Sequence, residues 1–270
     1  MLYCVLSEQP EASIDMSSIA PSTVRKLPLF AGLTEQEKDD LLKSGRERRF
    51  GRKEHLFLHG DPITHFFLIG SGTVQLFRET PDGHQKTLQI LVPGNGISER
   101  EIFQNFTTHQ LSAAAVEETI VLEFPMSWLK EAAQKYAPLA LNLLATVSQY
   151  AEMAAIEVEH QSSMSATQQV ACFLQRLCIL HDFDPKGFVL PCSKTLIVSR
   201  LGMELETFSR TLAKFKDYGI AVSGTRVAIT DSACIQDYIC GACSIADDCP
   251  TRRVIGEKIF ESSAQKTTRR

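Results

Sequence analysis

Three cysteines near the end of the chain carry the clearest chemistry: Cys240, Cys243 and Cys249, spaced C-x2-C-x5-C and followed by Pro250. A two-residue gap lets both sulfurs of one turn face a single metal centre, and thiolates are the ligands that hold iron–sulfur clusters. Proline directly after a last ligand occurs in bacterial ferredoxin motifs too. The same thiolates suit a structural zinc. A disulfide is the third chemistry, and a reducing compartment counts against it. Three cysteines leave one iron of a [4Fe–4S] cubane without a thiolate. Cys234, six residues before Cys240, is the nearest spare thiol and the expected fourth ligand. Thiolates outcompete carboxylates for such soft sites.

A second stretch, Ser193 to Ile229, carries a different chemistry. At helical spacing Leu205, Phe208, Leu212 and Phe215 share one apolar face. Glu206, Ser209, Arg210 and Lys214 fall on another face, which offers an acceptor, a hydroxyl and a fork of cationic donors. Lys194 to Leu201 is a shorter apolar-periodic run opened by Ser193, a good N-cap residue. Gly202 lies between the two runs, where the lack of a Cβ permits a sharp turn. Helix, glycine turn and second helix with a polar outer face is the plan of a helix-turn-helix that reads DNA. Ile220–Val222 and Val227–Ile229 flank Ser223-Gly224-Thr225 and predict a hairpin, the wing of such a motif. Arg210 donating to guanine and Glu206 accepting from cytosine are contacts these side chains can make in a major groove.

The elements that must position these residues follow from composition and period. The chain has 270 residues, 44% hydrophobic and 22% charged, with a net charge of −4. Two folded domains are expected. The overall charge does not advertise nucleic-acid binding, yet residues 189–229 hold six cations (Lys194, Arg200, Arg210, Lys214, Lys216, Arg226) against three acids. No apolar run reaches membrane-spanning length. Met1–Leu6 is apolar without a basic region before it, so no signal peptide and a cytoplasmic place are expected.

Residues 1–22 read as a polar arm. Val24 to Leu42 reads as short helices, with Thr34 as a cap. From Arg48 to Pro125 the period becomes two. Strands are expected at 55–58, 66–69, 74–77, 87–92 and 120–124, punctuated by glycine and proline turns. Many short strands with regular turns imply a small β-roll over residues 23–136. Trp128–Tyr136 is a helix, and Pro138 suits the first turn of a longer one. On it Ala140, Leu143, Val147, Tyr150 and Ala154 form a heptad-like seam. The seam is either a homodimer contact, centred on Leu143, Val147 and Tyr150, or packing within one chain. Residues 137–163 are thus a dimerisation helix and hinge, 164–239 a winged helix-turn-helix, and 240–270 a cysteine-containing tail. Cys172 and Cys178 lie in an apolar helix as small hydrophobes, and spacing identifies no partner for Cys4 or Cys192. His55, His59 and His65 sit around strands, where a surface role is the ordinary one. No nucleophile elbow, phosphate loop or HExxH appears, so no enzyme is expected.

In this order the pieces resemble the CRP/FNR family of bacterial transcription regulators, from about Leu27 to Ile239. Phe67-Leu68-Ile69-Gly70-Ser71-Gly72 resembles that family's roll glycine turn. Glu206, Ser209 and Arg210 match the E-x-x-S-R pattern of its FNR branch. The resemblance implies an α+β fold: a cyclic-nucleotide-binding-like β-roll, a long dimerisation helix and a C-terminal winged helix-turn-helix. It also implies a homodimer that binds double-stranded DNA at inverted TTGAT half-sites, works with RNA polymerase and has no membrane partner. The tail spacing resembles the FNR cluster motif moved to the other end of the chain, since the N-terminal arm holds only Cys4. That implies sensing of oxygen, nitric oxide or redox state. Relatives with C-terminal clusters offer a carboxylate from the long helix, here Glu152, Glu157 or Glu159, as competitor to Cys234. Cyclic-nucleotide members carry a Gly-Glu pair and a phosphate-binding Arg-Ser pair. Here those regions read Gly96-Ile97-Ser98-Glu99-Arg100 and His109-Gln110, so a cAMP-type ligand is not expected. The alternatives are a regulator of this fold responding to another small molecule in the roll, with zinc or no metal in the tail, and a stand-alone metal or redox protein.

Overall fold

The computed structural model describes residues 2–3, 24–104, 106–180, 187–190 and 192–229. The chain divides into two compact units, Met1–Ala151 and Glu152–Arg270.

The first unit is built from two sheets. One has the order β1 (Leu2–Tyr3), β6 (Gln85–Leu91), β5 (Val74–Glu79), β8 (Ser112–Ala115), β3 (His55–Phe57). The other runs β2 (Arg46–Phe50), β9 (Thr119–Pro125), β4 (His65–Ser71), β7 (Gly96–Ile97). Neighbours pair antiparallel except β1, which lies parallel to β6, so the expected loose arm begins as a sheet strand.

Alternation along β4 explains the layering. Phe67 and Ile69 join Phe50, Val74, Leu76, Leu91 and Val121 in the core of the roll. Phe66 and Leu68 point the other way, into a second core with Phe30, Leu41, Phe124, Leu129, Leu139 and Leu143. A strand buried on both faces reads as an unbroken apolar run, which Phe66–Ile69 is. Gly72, at φ +83°, makes the turn after β4; a Cβ there would lie 2.5 Å from the Glu118 carbonyl oxygen.

β2 and β8 are among the strands that escape sequence reasoning. In β2, four of five residues are exposed Arg or Glu and only Phe50 faces the core. The strand is held instead by its ladder to β9, where Arg48 pairs with Glu123 at 3.2 Å. β8 is Ser-Ala-Ala-Ala, too small in side chain to signal a strand.

Helices cover the outer core. In α1 (Glu35–Leu42), the Thr34 hydroxyl accepts from the Glu37 N–H, while the Glu37 carboxylate accepts from the Thr34 N–H at 2.8 Å. α2 (Met126–Lys135) is followed by α3 (Ala137–Ser163), whose Asn142 amide donates to the carbonyls of Leu29 and Ala31.

The long helix corrects the expected seam. Leu143 is 1% exposed and Tyr150 8%, both packed within their own unit, and Val147 is half-buried. The free face lies one residue over: Leu141 (65% exposed), Leu144 (52%), Ser148, Ala151, Ala155 and Val158 (69%). These residues also alternate by four and three, so two apolar faces share one period and spacing alone could not separate them.

Two acid–base groups inside the first unit left no periodic signal. The His109 ring stacks on Phe57 with centroids 3.6 Å apart, and burial lowers its pKa to about 4. Burial raises the pKa of the Glu99 carboxyl, which accepts a hydrogen bond from Tyr150. Ser98, beside it, holds the left-handed conformation at φ +76°.

The second unit contains the last turns of α3, then α4 (Ala166–Leu180), β10 (Phe188–Val189), α5 (Lys194–Leu201), α6 (Leu205–Lys214), β11 (Ile220–Ser223) and β12 (Arg226–Ile229). The expected helix-and-hinge stretch ends in a helix junction: α3 ends at Ser163, and the Ser165 hydroxyl accepts from the Gln168 N–H.

His109 makes the stability of the first unit depend on pH. Its folded pKa lies below the ordinary 6.5, so between about 4 and 6.5 the unfolded chain binds more protons and stability rises with pH. Glu99, with a raised pKa, works in the opposite sense above the carboxylate range. Comparison with His109→Phe, which keeps a ring on Phe57, isolates the histidine. Melting temperature should climb more steeply across this window in the wild type than in the variant; equal slopes would refute the assignment.

Candidate nucleic-acid interface

The reading pair is assembled by local rules. Ser193 caps α5, its Oγ accepting from the Leu196 N–H at 3.3 Å. Gly202 ends α5 in the left-handed conformation at φ +66°, and its N–H returns to the Val198 carbonyl. A residue with a Cβ is strained there, which is why glycine makes this turn.

α6 buries Phe208, Thr211 and Leu212, with Phe215 just beyond it, and leaves Glu206, Ser209, Arg210, Ala213 and Lys214 exposed. The three residues expected to meet DNA thus lie together on its outer face. Leu205, expected on the apolar face, is 46% exposed. It opens the helix at the edge of the buried arc, and Thr211 completes that arc in its place. The wing forms as expected: β11 and β12 pair from Ile220–Ile229 to Ser223–Arg226, and β10 adds a third strand through Phe188–Val227. Ser223 to Arg226 at its tip are exposed.

The local positive charge is distributed differently from the sequence count. Arg210, Lys214, Lys216 and Arg226 are exposed, whereas Arg200 is buried. Both of its terminal nitrogens bind the two carboxylate oxygens of Glu157, on the last turns of α3. Burial alone would raise the Glu157 pKa; the hydrogen bonds and charge of Arg200, helped by Arg176, bring it below the ordinary value. His160, one turn on, is buried and its pKa falls to about 4 through burial and the nearby Arg176.

The metal ligands expected in the tail, Cys234, Cys240, Cys243 and Cys249, lie outside the described residues, as does Cys4. Among the described residues no group of three His, Cys, Asp or Glu side chains is placed to hold a metal ion. Of the competing carboxylates, Glu157 is committed to Arg200 and Glu152 is exposed. Using Glu157 as a ligand would strand a buried guanidinium. Cys172 and Cys192 are buried. His55 and His59 are exposed, and His65 lies 3.8 Å from Glu123.

Among the described residues of the first unit no lysine or arginine is buried. His109, whose pKa burial lowers to about 4, is neutral at neutral pH. The roll interior therefore offers no buried cation to a cyclic phosphate. Among the described residues no helix is long and apolar enough to cross a membrane.

Comparison with known proteins agrees with this architecture. Residues 47–136 match the Cyclic nucleotide-binding domain, and residues 168–238 match the Crp-like helix-turn-helix domain. The chain is 29% identical over 230 residues to the transcriptional activator protein Anr of Pseudomonas aeruginosa, covering 83% of this chain and 91% of that one. It is 28% identical to the Anaerobic regulatory protein of Haemophilus influenzae, over 74% of this chain and 79% of that one. The solved structure of FixK2 from Bradyrhizobium japonicum shares the fold, with a TM-score of 0.63 at 21% identity, covering 72% of this chain and 96% of that one. A β-roll and a winged helix-turn-helix, in this order and with relatives that regulate transcription rather than catalyse reactions, place the chain in the CRP/FNR family of DNA-binding transcription regulators.

Proposed function

We propose that this regulator is a cytoplasmic homodimer that reads inverted TTGAT half-sites, acts with RNA polymerase, and senses oxygen, nitric oxide or redox state through an iron–sulfur cluster. The observation that carries the DNA reading is the exposed face of α6, where Glu206 and Arg210 stand one turn apart with Ser209 beside them. Arginine donates two hydrogen bonds to guanine O6 and N7, and glutamate accepts from cytosine N4. An exposed pair at this spacing would otherwise stabilise the helix by only a few tenths of a kcal/mol.

The sensing half rests on the donor set. Cys240, Cys243 and Cys249, with Cys234 as fourth ligand, form a thiolate group suited to a [4Fe–4S] cluster. The relatives that carry the names Anr and Anaerobic regulatory protein support the same direction. A bound cluster would supply an oxidant-sensitive centre.

The dimer rests on the free face of α3. Leu141, Leu144 and Val158 expose apolar surface at heptad spacing, which a second copy of the helix would bury.

Three measurements test these parts. Arg210→Ala should lose about 1–3 kcal/mol of binding to an inverted TTGAT repeat in a gel-shift titration; undiminished binding would remove Arg210 from the readout. Leu144→Glu should sediment as a folded monomer, since the dimer would bury an unpaired charge; a persistent dimer would place the contact elsewhere. Anaerobically reconstituted Cys234→Ser should load less iron and sulfide than the wild type. Full loading with ordinary oxygen sensitivity would exclude Cys234 and turn the search to Glu152 and Glu159.

A further inference from the structure

We propose that Arg200 is a positioning residue for DNA recognition: through its two-pronged contact with Glu157 it fixes the orientation of the reading pair against the last turns of α3. The inference rests on the reading of α6 as the DNA-contacting helix.

The geometry is specific. Glu157 stands two turns before the end of α3, and Arg200 lies in the last turn of α5, 43 residues away in sequence. Nη1 donates to Oε1 and Nη2 to Oε2, so two parallel bonds define both a distance and a rotation. The Arg200 side chain is 7% exposed and that of Glu157 25%. The Arg200 Nε–H is buried without an acceptor.

Stability alone does not account for such a pair. Taking two charges out of water costs about as much as their attraction returns, and apolar residues of similar volume often serve as well or better. What the fork adds is direction. Leu196, Ile197 and Val198 of α5 are buried, but apolar contacts are non-directional and tolerate several rotations of a helix in its groove. A planar guanidinium gripping both oxygens of one carboxylate tolerates few. α5 passes directly through Gly202 into α6, so whatever fixes α5 also aims Glu206, Ser209 and Arg210. In a dimer joined along α3, this contact would set the separation of the two reading helices.

The test uses the full chain and two DNA probes, a single TTGAT half-site and the inverted repeat, the latter with spacers of varied length. In Glu157→Met/Arg200→Leu the charges are gone but the volume is kept. Its thermal midpoint should stay near that of the wild type. Its affinity for the best inverted repeat should fall about tenfold or more, equivalent to about 1.4 kcal/mol, and its spacer preference should broaden, while half-site binding is unchanged. Should this variant not fold, Arg200→Lys, which keeps the charge without the fork, carries the same comparison. A folded variant with wild-type affinity and spacer preference would overturn the proposal. So would equal losses on both probes, since those would mean damage to α6 itself. Failure of the wild type to bind either probe would refute the DNA reading instead, and this proposal with it.

Discussion

The first unit depends on the burial of β4 from both sides. Phe67 and Ile69 fill the roll, and Phe66 and Leu68 fill the space under the helices. A residue slipped by one position would exchange the two sets and leave each core with side chains shaped for the other. The same strand therefore closes the roll and anchors α2 and the first half of α3. Its partner β9 shares the arrangement, with Val121 turned inward and Phe124 outward.

Electrostatics inside the two units follow opposite policies. Burial holds His109 in its neutral form and favours the neutral form of Glu99, so neither group adds charge to this interior. The second unit keeps a part-buried ion pair, Glu157 with Arg200, beside a histidine that burial and Arg176 hold neutral. This pair spends desolvation on geometry, which is what a unit that must present a helix at a set angle requires.

Much of this was legible in the sequence because local rules determine it. The cap at Ser193, the left-handed turn at Gly202 and the hairpin around Gly224 are each written within a few residues. Apolar runs and alternation located β3, β4, β5, β6 and β9, and the hairpin signal located β11 and β12. β2 was missed because its ladder, not its side chains, holds it. The α3 seam was placed on Leu143 and Tyr150 because two faces share one spacing and the free one is diluted by Ser148, Ala151 and Ala155. Leu205 was misassigned because a helix end has no full turn on which to bury it. Arg200 looked like one more surface cation; its partner lies on another helix, and no local pattern announces a contact over that separation. His109 and Glu99 stand alone in their strands and loops, so only the fold reveals their burial.

The free face of α3 has a consequence for the life of a single chain. Leu141, Leu144 and Val158 contribute nothing to the chain's own cores and meet water until something covers them. Exposed apolar surface of this kind invites chaperones, proteases and unspecific association. Newly made chains would thus be at their most vulnerable when scarce, and association would protect them by mass action. The cell's supply of regulator would then respond to synthesis more steeply than in proportion, with lone chains cleared and paired chains retained.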